Sequence, residues 1–381
     1  MRNIRFFTVI LFLVITTIGC RQTSNKHSTT QNQTLNDDFS ISKLEDVGLE
    51  RLIINELIDS IKTGFYPNRH SLLIYKDDKL ILEEYFSGHD ENWGSDIGVI
   101  NHNDTILHDV RSISKSVVGA CIGIAIEEGL IRDVNQSIFD FFKEYKEFAV
   151  GSKSKLTIYH LLTMTDGLDW NESVPIDNTE AEMENSKDKV AFILSRDLKY
   201  EPGKNWNYNG GTTELLANII LRATGKNIYQ YAKEKIFDKI NVTNSEWTSY
   251  YENGIPAAAS GLRLTSRGML NFGILYQNDG KWGKEQIVPK KWVNESFKSH
   301  ISRQNNEGYG YQFWVFNYTI QGKSLSIPAA VGNGDQRIYF DNGNNLLVVT
   351  TAGNYNKWEI ENNAWALLKK IYTSFSFKET R

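Results

Sequence analysis

The chain has only two cysteines in 381 residues, no block of five like charges, and little at its N-terminus that could span a bilayer. Each scarcity removes a class of protein. Cys20 and Cys121 alone build no disulfide framework. A formal charge of −4 without basic blocks leaves no electrostatic footprint for nucleic acid, so no nucleic-acid partner is expected. The N-terminal apolar run, Phe6 to Ile18, is thirteen residues long, short of the ~20 that a spanning helix needs. Also missing are His-Glu-x-x-His, despite seven histidines, and Gly-x-Ser-x-Gly. A zinc peptidase and an α/β-hydrolase nucleophile elbow therefore lack support, and neither a metal nor a cofactor is expected. No internal repeat is visible.

What is present is a chain with 40% apolar residues and mixed charge, enough to bury a sizeable core in one large domain or two closely packed ones. Arg2 and Arg5 precede the apolar run, and Gly19-Cys20 follows it, which is the order of an export signal. Arg21 to about Ser42 is polar and has too few apolar residues to offset its ordering entropy, so it reads as a tether.

Ser-x-x-Lys occurs four times, at Ser40, Ser112, Ser152 and Ser186. Only Ser112 leads into a continuous apolar helix, Val117 to Ile126, with Gly129 as a stop signal. Residues three apart share a helix face, so Lys115 can draw the proton from the Ser112 hydroxyl if its amine is neutral. The alternative for Ser112 is a solvent-facing helix cap. Cys121, nine residues on, is assigned to packing. His160, in Tyr159-His160-Leu161-Leu162, reads as a structural histidine rather than a base.

Leu49, Ile53, Leu57 and Ile61 predict an amphipathic helix. Ser71–Tyr75 and Leu80–Phe86 predict a hairpin, and Tyr309–Tyr318, Ser324–Val331, Gln336–Phe340 and Leu346–Thr351 predict further strands before a last helix with Trp358, Trp365, Leu368 and Tyr372. The segment between is dominated by helical patterns. The expected fold class is α+β: an antiparallel sheet built from both chain ends and flanked by terminal helices, with an inserted, mainly helical domain. The expected limits are 1–19 for the signal peptide, 20–44 for the modified N-terminus and tether, 45–105 and 304–381 for the sheet domain, and 106–303 for the helical domain.

Two further segments carry chemistry. Pro202 to Gly211 is a turn-rich loop around Tyr208, whose phenolate a neighbouring lysine cation would favour. An ordinary packed loop tyrosine is the alternative. Val331 to Phe340 enters a strand through Gly332 and Gly334 and can lay backbone N–H groups beside a carbonyl, or can simply be a bulge. Trp170, Trp206 and Trp314 near these segments suggest an apolar pocket wall.

Together, Arg111-Ser112-Ile113-Ser114-Lys115-Ser116, Leu156 to Leu168, Glu201-Pro202-Gly203 with Tyr208-Asn209, Ser260 to Thr265, and Tyr309 to Trp314 resemble the serine β-lactamase-like superfamily. The likeness is on the class C side, with its esterase, D-amino-peptidase and 6-aminohexanoate-dimer-hydrolase members. It implies that Ser112 is acylated, that Lys115 is its proton partner, and that Tyr208 assists acylation and activates the deacylating water. It further implies an oxyanion hole from the backbone N–H groups of Ser112 and Gln336, and substrate binding by Asn209, Asn333, Gly334 and Asp335. Two positions depart from the pattern. Gly210 stands where asparagine is expected, and Asn333-Gly334-Asp335, or Gly332-Asn333-Gly334, replaces Lys-Thr-Gly or His-x-Gly. Without that cation, and with Asp335 there, a substrate carboxylate is disfavoured.

Cys20 after Gly19 resembles the lipidated cysteine of a bacterial lipoprotein signal, with Thr17 in place of the usual leucine. That resemblance implies a lipid-anchored location in the bacterial cell envelope, on its periplasmic or extracytoplasmic face. The expected partners are the membrane, through the N-terminal lipid, and a small-molecule or short-peptide ester or amide substrate.

Overall fold

The computed structural model describes residues 39–375 apart from 173–177, 251–253, 304–306, 358–359 and 361–362. The expected signal peptide, Cys20 and most of the expected tether lie outside the described residues, as does Trp358. The tether does not reach residue 44. Phe39 meets Tyr75 edge-on with ring centroids 6.4 Å apart, Ser40 O accepts Leu80 N at 3.0 Å, and Leu44 is buried.

Helix α1 (Arg51–Lys62) forms as the spacing predicts, with Ile54, Leu57, Ile58 and Ile61 inward. Strands β1 (Arg69–Lys76) and β2 (Lys79–Tyr85) pair through a tight turn in which Asp77 and Asp78 both take positive φ, 51° and 61°. Such a turn matches the twist of the strands it joins. Six strands from the other chain end, 301–302, 307–309, 314–320, 323–332, 336–341 and 346–352, continue the sheet, and the last pairs with β1. All eight are antiparallel to their neighbours.

Side chains alternate across this sheet. Leu72, Ile74, Tyr339 and Val348 face α1 and the C-terminal helix Asn363–Thr373. Leu73, Ile338, Phe340, Leu347 and Val349 face the helical segment. Both faces are therefore covered, which explains why β1 is buried along its whole length. The helical segment contributes α2 (Ile113–Glu127) and the longer helices Gly210–Thr224 and Ser266–Gln277, among others. The described residues form a single compact unit. Among the described residues, no helix is long and apolar enough to cross a membrane.

Three features differ from the sequence expectation. The strand expected over Tyr309–Tyr318 breaks at Gln312, which takes φ 62°. Its side-chain amide donates to Leu161 O and Leu162 O at 3.1 Å each and accepts from Thr213 Oγ1 at 2.8 Å, tying sheet to helices. A polar hairpin, β3 (Ser87–Asn92) with β4 (Ser95–Asn101), follows β2. Finally, β5 (His108–Asp109) joins Leu262–Leu264 and Ser245–Trp247 in a small sheet within the stretch expected to be helical, and 301–302 belongs to the main sheet.

Candidate active site

The turn that delivers Ser112 is braced on several sides. Asp109, buried at the end of β5, accepts Arg263 Nε at 2.7 Å and Trp93 N at 2.6 Å. Arg111 follows with a positive φ of 50°, a conformation that a non-glycine residue holds only when its surroundings impose it. Ser112 is then the first residue of the turn into α2. Its hydroxyl makes no helix-capping hydrogen bond, which removes the simple cap reading.

Lys115 Nζ lies 3.1 Å from Ser112 Oγ. The lysine is 2% exposed, donates to Ala259 O at 3.0 Å, and sits 5.0 Å from the centroid of the Tyr208 ring. The Ala259 carbonyl is a partner that sequence reasoning missed, although it immediately precedes the Ser260–Thr265 motif. Ala259 N in turn donates to the buried Glu214 at 3.0 Å, fixing the carbonyl from the helix Gly210–Thr224. Three of the expected residues, Ser112, Lys115 and Tyr208, are thus brought together from one helix and a loop.

Tyr208 belongs to an aromatic wall. Its ring centroid is 6.0 Å from Trp206 and 5.8 Å from Trp314, and the Arg303 guanidinium carbon lies 3.7 Å and 4.4 Å from those two indole centroids. Trp170 is not part of it. It is 3% exposed and directs its indole N–H at Glu172, 2.6 Å away.

Glu172 also accepts Gly210 N at 2.7 Å, at the positive end of the helix Gly210–Thr224. This accounts for the glycine that replaces the expected asparagine. A Cβ at 210 would lie 2.6 Å from Glu180 Oε1 and 3.3 Å from Glu172 Oε2. Burial, reinforced by the charge of Glu180, pushes the Glu172 carboxyl up to about 8. Burial and Glu180 likewise raise Glu184 to about 7. Lys115 acts electrostatically on both, so the three glutamates form a bank within electrostatic reach of the lysine. Sequence reasoning did not find it, because the three positions match no motif.

Other expected residues have different tasks. Asn209 is fully buried, caps its helix by accepting Thr212 N at 3.3 Å, and donates to Asp166 at 3.2 Å. It positions Tyr208 and is not available to a substrate. Asp335 forms a buried ion pair with Arg69, approaches Arg337 at 3.3 Å, and accepts Ala364 N at 3.0 Å. With both groups of the Arg69 pair at 0% side-chain exposure, Asp335 holds the sheet to the C-terminal helix and does not bind substrate.

Gln336 is paired with Gly332 inside the sheet, is fully buried, and grips the backbone of Ala352, accepting from its N at 3.1 Å and donating to its O at 2.5 Å. Its backbone is therefore enclosed and cannot meet a substrate carbonyl. The strand 323–332 is the one that touches the Ser112 turn: a Cβ on Gly332 would lie 2.2 Å from Val110 O. Gly334, at φ 88°, packs under Tyr355. Asn333 keeps partial exposure and pairs its side-chain amide with Asn356 at 2.7 Å. His160 accepts Thr157 N at 3.1 Å as part of a helix cap, and Cys121 is buried with its thiol pushed up by burial.

The family model for Beta-lactamase matches residues 70–369. The chain belongs to the Beta-lactamase family. Within that family it is similar to a 6-aminohexanoate-dimer hydrolase of Paenarthrobacter ureafaciens, 23% identical over 64% of this chain and 65% of that enzyme. A solved structure of a putative 6-aminohexanoate-dimer hydrolase from Bacillus anthracis superposes with a TM-score of 0.67 at 21% identity, covering 89% of this chain and 86% of that one. A family VIII carboxylesterase structure gives 0.61 at 16% identity, over 83% and 96%. These structural likenesses establish the β-lactamase/transpeptidase-like fold, the α+β architecture that the sequence led us to expect.

Proposed function

We propose that this Beta-lactamase family member is a serine hydrolase that cleaves an ester or amide through an acyl-enzyme on Ser112. The observation that carries the reading is the 3.1 Å approach of Lys115 Nζ to a Ser112 hydroxyl that caps nothing. In acylation, Oγ bonds to the substrate carbonyl carbon while its proton passes to the Lys115 amine or the Tyr208 phenolate, and from there to the leaving group. Water then breaks the Ser112 ester with the same groups as base. The negative charge on the carbonyl oxygen meets the backbone N–H of Ser112 and, in place of the enclosed Gln336, that of Asn333 at the strand end beside Val110.

Tyr208→Phe removes one hydroxyl from a wall of tilted, packed rings, so folding is expected to be unchanged while kcat falls by about 10². Wild-type turnover in a well-folded variant would return Tyr208 to a packing role.

The glutamate bank supports neutral or cationic substrates over carboxylates, a selection that does not depend on the buried Asp335. The kcat/KM for a neutral short-chain ester is expected to exceed that for a penicillin by about 10², roughly 3 kcal/mol in transition-state binding. Glu184 and Glu172 lose their protons as pH rises through about 7 and about 8, making the bank more negative. An amide bearing an ammonium group should therefore gain on a neutral ester between those values. A ratio that falls with pH, or equal turnover of ester and penicillin, would remove the bank from substrate selection.

The Gly19-Cys20 signal supports lipid anchorage in the bacterial envelope as part of the same proposal. Metabolic fatty-acid labelling should vanish in Cys20→Ser; persistent labelling would contradict the anchor.

A further inference from the structure

Beyond the nucleophile, the described residues hold a second built cluster of polar groups. His70, Asp90, His102 and His108 come from β1, β3, the segment after β4 and β5, and one ligand atom from each lies within 4.8 Å of all the others. His70, Asp90 and His108 are buried. The hydrogen bonding around the cluster assigns its protons. Asn68 donates its Nδ2 to His89 O at 2.8 Å and accepts His89 N on Oδ1 at 2.8 Å, which fixes the amide orientation. His70 Nε2 then faces two acceptors, His89 O at 3.1 Å and Asn68 Oδ1 at 3.3 Å, so it carries the proton and Nδ1 holds a lone pair.

His108 Nδ1 faces the Asp109 carbonyl at 3.3 Å and the Tyr355 hydroxyl at 3.2 Å. With its proton on Nδ1, donated to that carbonyl, Nε2 also presents a lone pair. Those two lone pairs, His70 Nδ1 and His108 Nε2, face each other across 2.7 Å. Two bare acceptors at that distance repel unless a cation draws them together. Two other groups point at the same space. His102 Nε2 is buried without a hydrogen-bond partner and lies 3.8 Å from Asp90 Oδ2, and Asp90 Oδ1 is 3.7 Å from His108 Nε2.

We propose that His70, Asp90, His102 and His108 form a structural site for a divalent transition metal of the zinc type. Tetrahedral zinc with bonds of about 2.0–2.1 Å sets its donors about 3.3 Å apart, between the short and long separations seen across this cluster. Three imidazoles and one carboxylate fill a four-coordinate shell and leave no open position for substrate, which makes the ion structural. The carbonyls on the outer ring nitrogens, at His89 and Asp109, are the supports that orient metal-bound histidines. The ion would fasten the polar β3–β4 hairpin to the sheet and to β5, three residues ahead of Arg111 and the nucleophile turn. No step of hydrolysis passes through it, and the proposal stands apart from the reading of Ser112.

The test uses the full-length chain, purified without added chelator. Elemental analysis should find about one zinc per chain, or the chelator-treated protein should take up one equivalent of Zn2+ with a rise in Tm of about 5 °C. Added Co2+ should give the intense visible absorption of a tetrahedral centre. His102→Ala and Asp90→Asn should each lose the equivalent and the Co2+ band. Should either variant fail to fold, the wild-type Co2+ spectrum and the Zn2+-dependent Tm decide alone. Failure of wild-type protein to bind Zn2+ or Co2+, with no change in Tm, would overturn the site. So would full occupancy in a folded His102→Ala variant, and the 2.7 Å contact would then be an imidazole–imidazole hydrogen bond with the proton on His108 Nε2.

Discussion

Ser112→Ala should abolish covalent labelling by a phosphonate probe, and Lys115→Ala should lower turnover nearly as far, each by a factor of about 10⁴ to 10⁶. Similar losses are expected because the two groups act as one unit. Without the amine, Oγ loses its 3.1 Å partner and Tyr208 loses the cation that favours its phenolate, and the amine without Oγ has nothing to activate. The Lys115→Ala variant should remain folded, since the helix around it is buried through Val117, Val118, Cys121 and Ile122. Mass mapping of the labelled peptide checks the site. An adduct on Ser114 or Ser116 would refute it, and the structure makes either unexpected: Ser114 Oγ donates to Arg111 O at 2.6 Å and Ser116 Oγ to Gln312 O at 2.7 Å. A Lys115→Ala enzyme only a few-fold slower would leave Tyr208 as the sole base.

The second large effect is on stability. Asp335→Ala strips the carboxylate from Arg69, whose guanidinium has 0% side-chain exposure and an Nε that already lacks a partner. An uncompensated buried cation costs about 3–5 kcal/mol, a large share of the stability of an ordinary domain. Urea titration of wild type and variant should show that difference as a lower midpoint, with the slope unchanged if the unfolded state is unaffected. A loss below about 1 kcal/mol would mean that water reaches Arg69 in the variant. Had Asp335 faced substrate, as its sequence neighbourhood suggested, the same substitution would have altered specificity and left stability nearly intact.

Asp335 also shows where the sequence stops being legible. A charge beside Gly334 reads as substrate-facing, and the residue that buries it, Arg69, lies 266 positions away. Asn209 was misplaced for a similar reason: next to Tyr208 it reads as a ligand, yet its amide is occupied by a helix N-terminus and Asp166. In contrast, α2 and the strands 323–332, 336–341 and 346–352 are legible because each contains an apolar run of the length its element needs, bounded by glycine or turn residues. The β3–β4 hairpin has no such period, since β3 reads Ser-Gly-His-Asp-Glu-Asn. The histidine cluster, gathered from four segments at spacings that match no metal motif, becomes visible only when the strands are placed side by side. The Ser112 and Lys115 pair needed no fold to be found, because one helical turn holds both.

The pairing of β1 with the strand 346–352 has a consequence in time. Ser71 and Thr351 bond across that seam at 2.7 Å, although 280 residues separate them in the chain. At a synthesis rate of about 5–20 residues per second, the first half of the seam waits roughly 15 to 55 seconds for the second. Throughout that interval β1 and β2 expose apolar side chains on both faces with an unpaired edge. Contacts so distant in sequence also close slowly once both strands exist. The nascent chain therefore cannot complete its main sheet before its last strand is made, and loss of the C-terminal strand would leave the first hairpin without a partner.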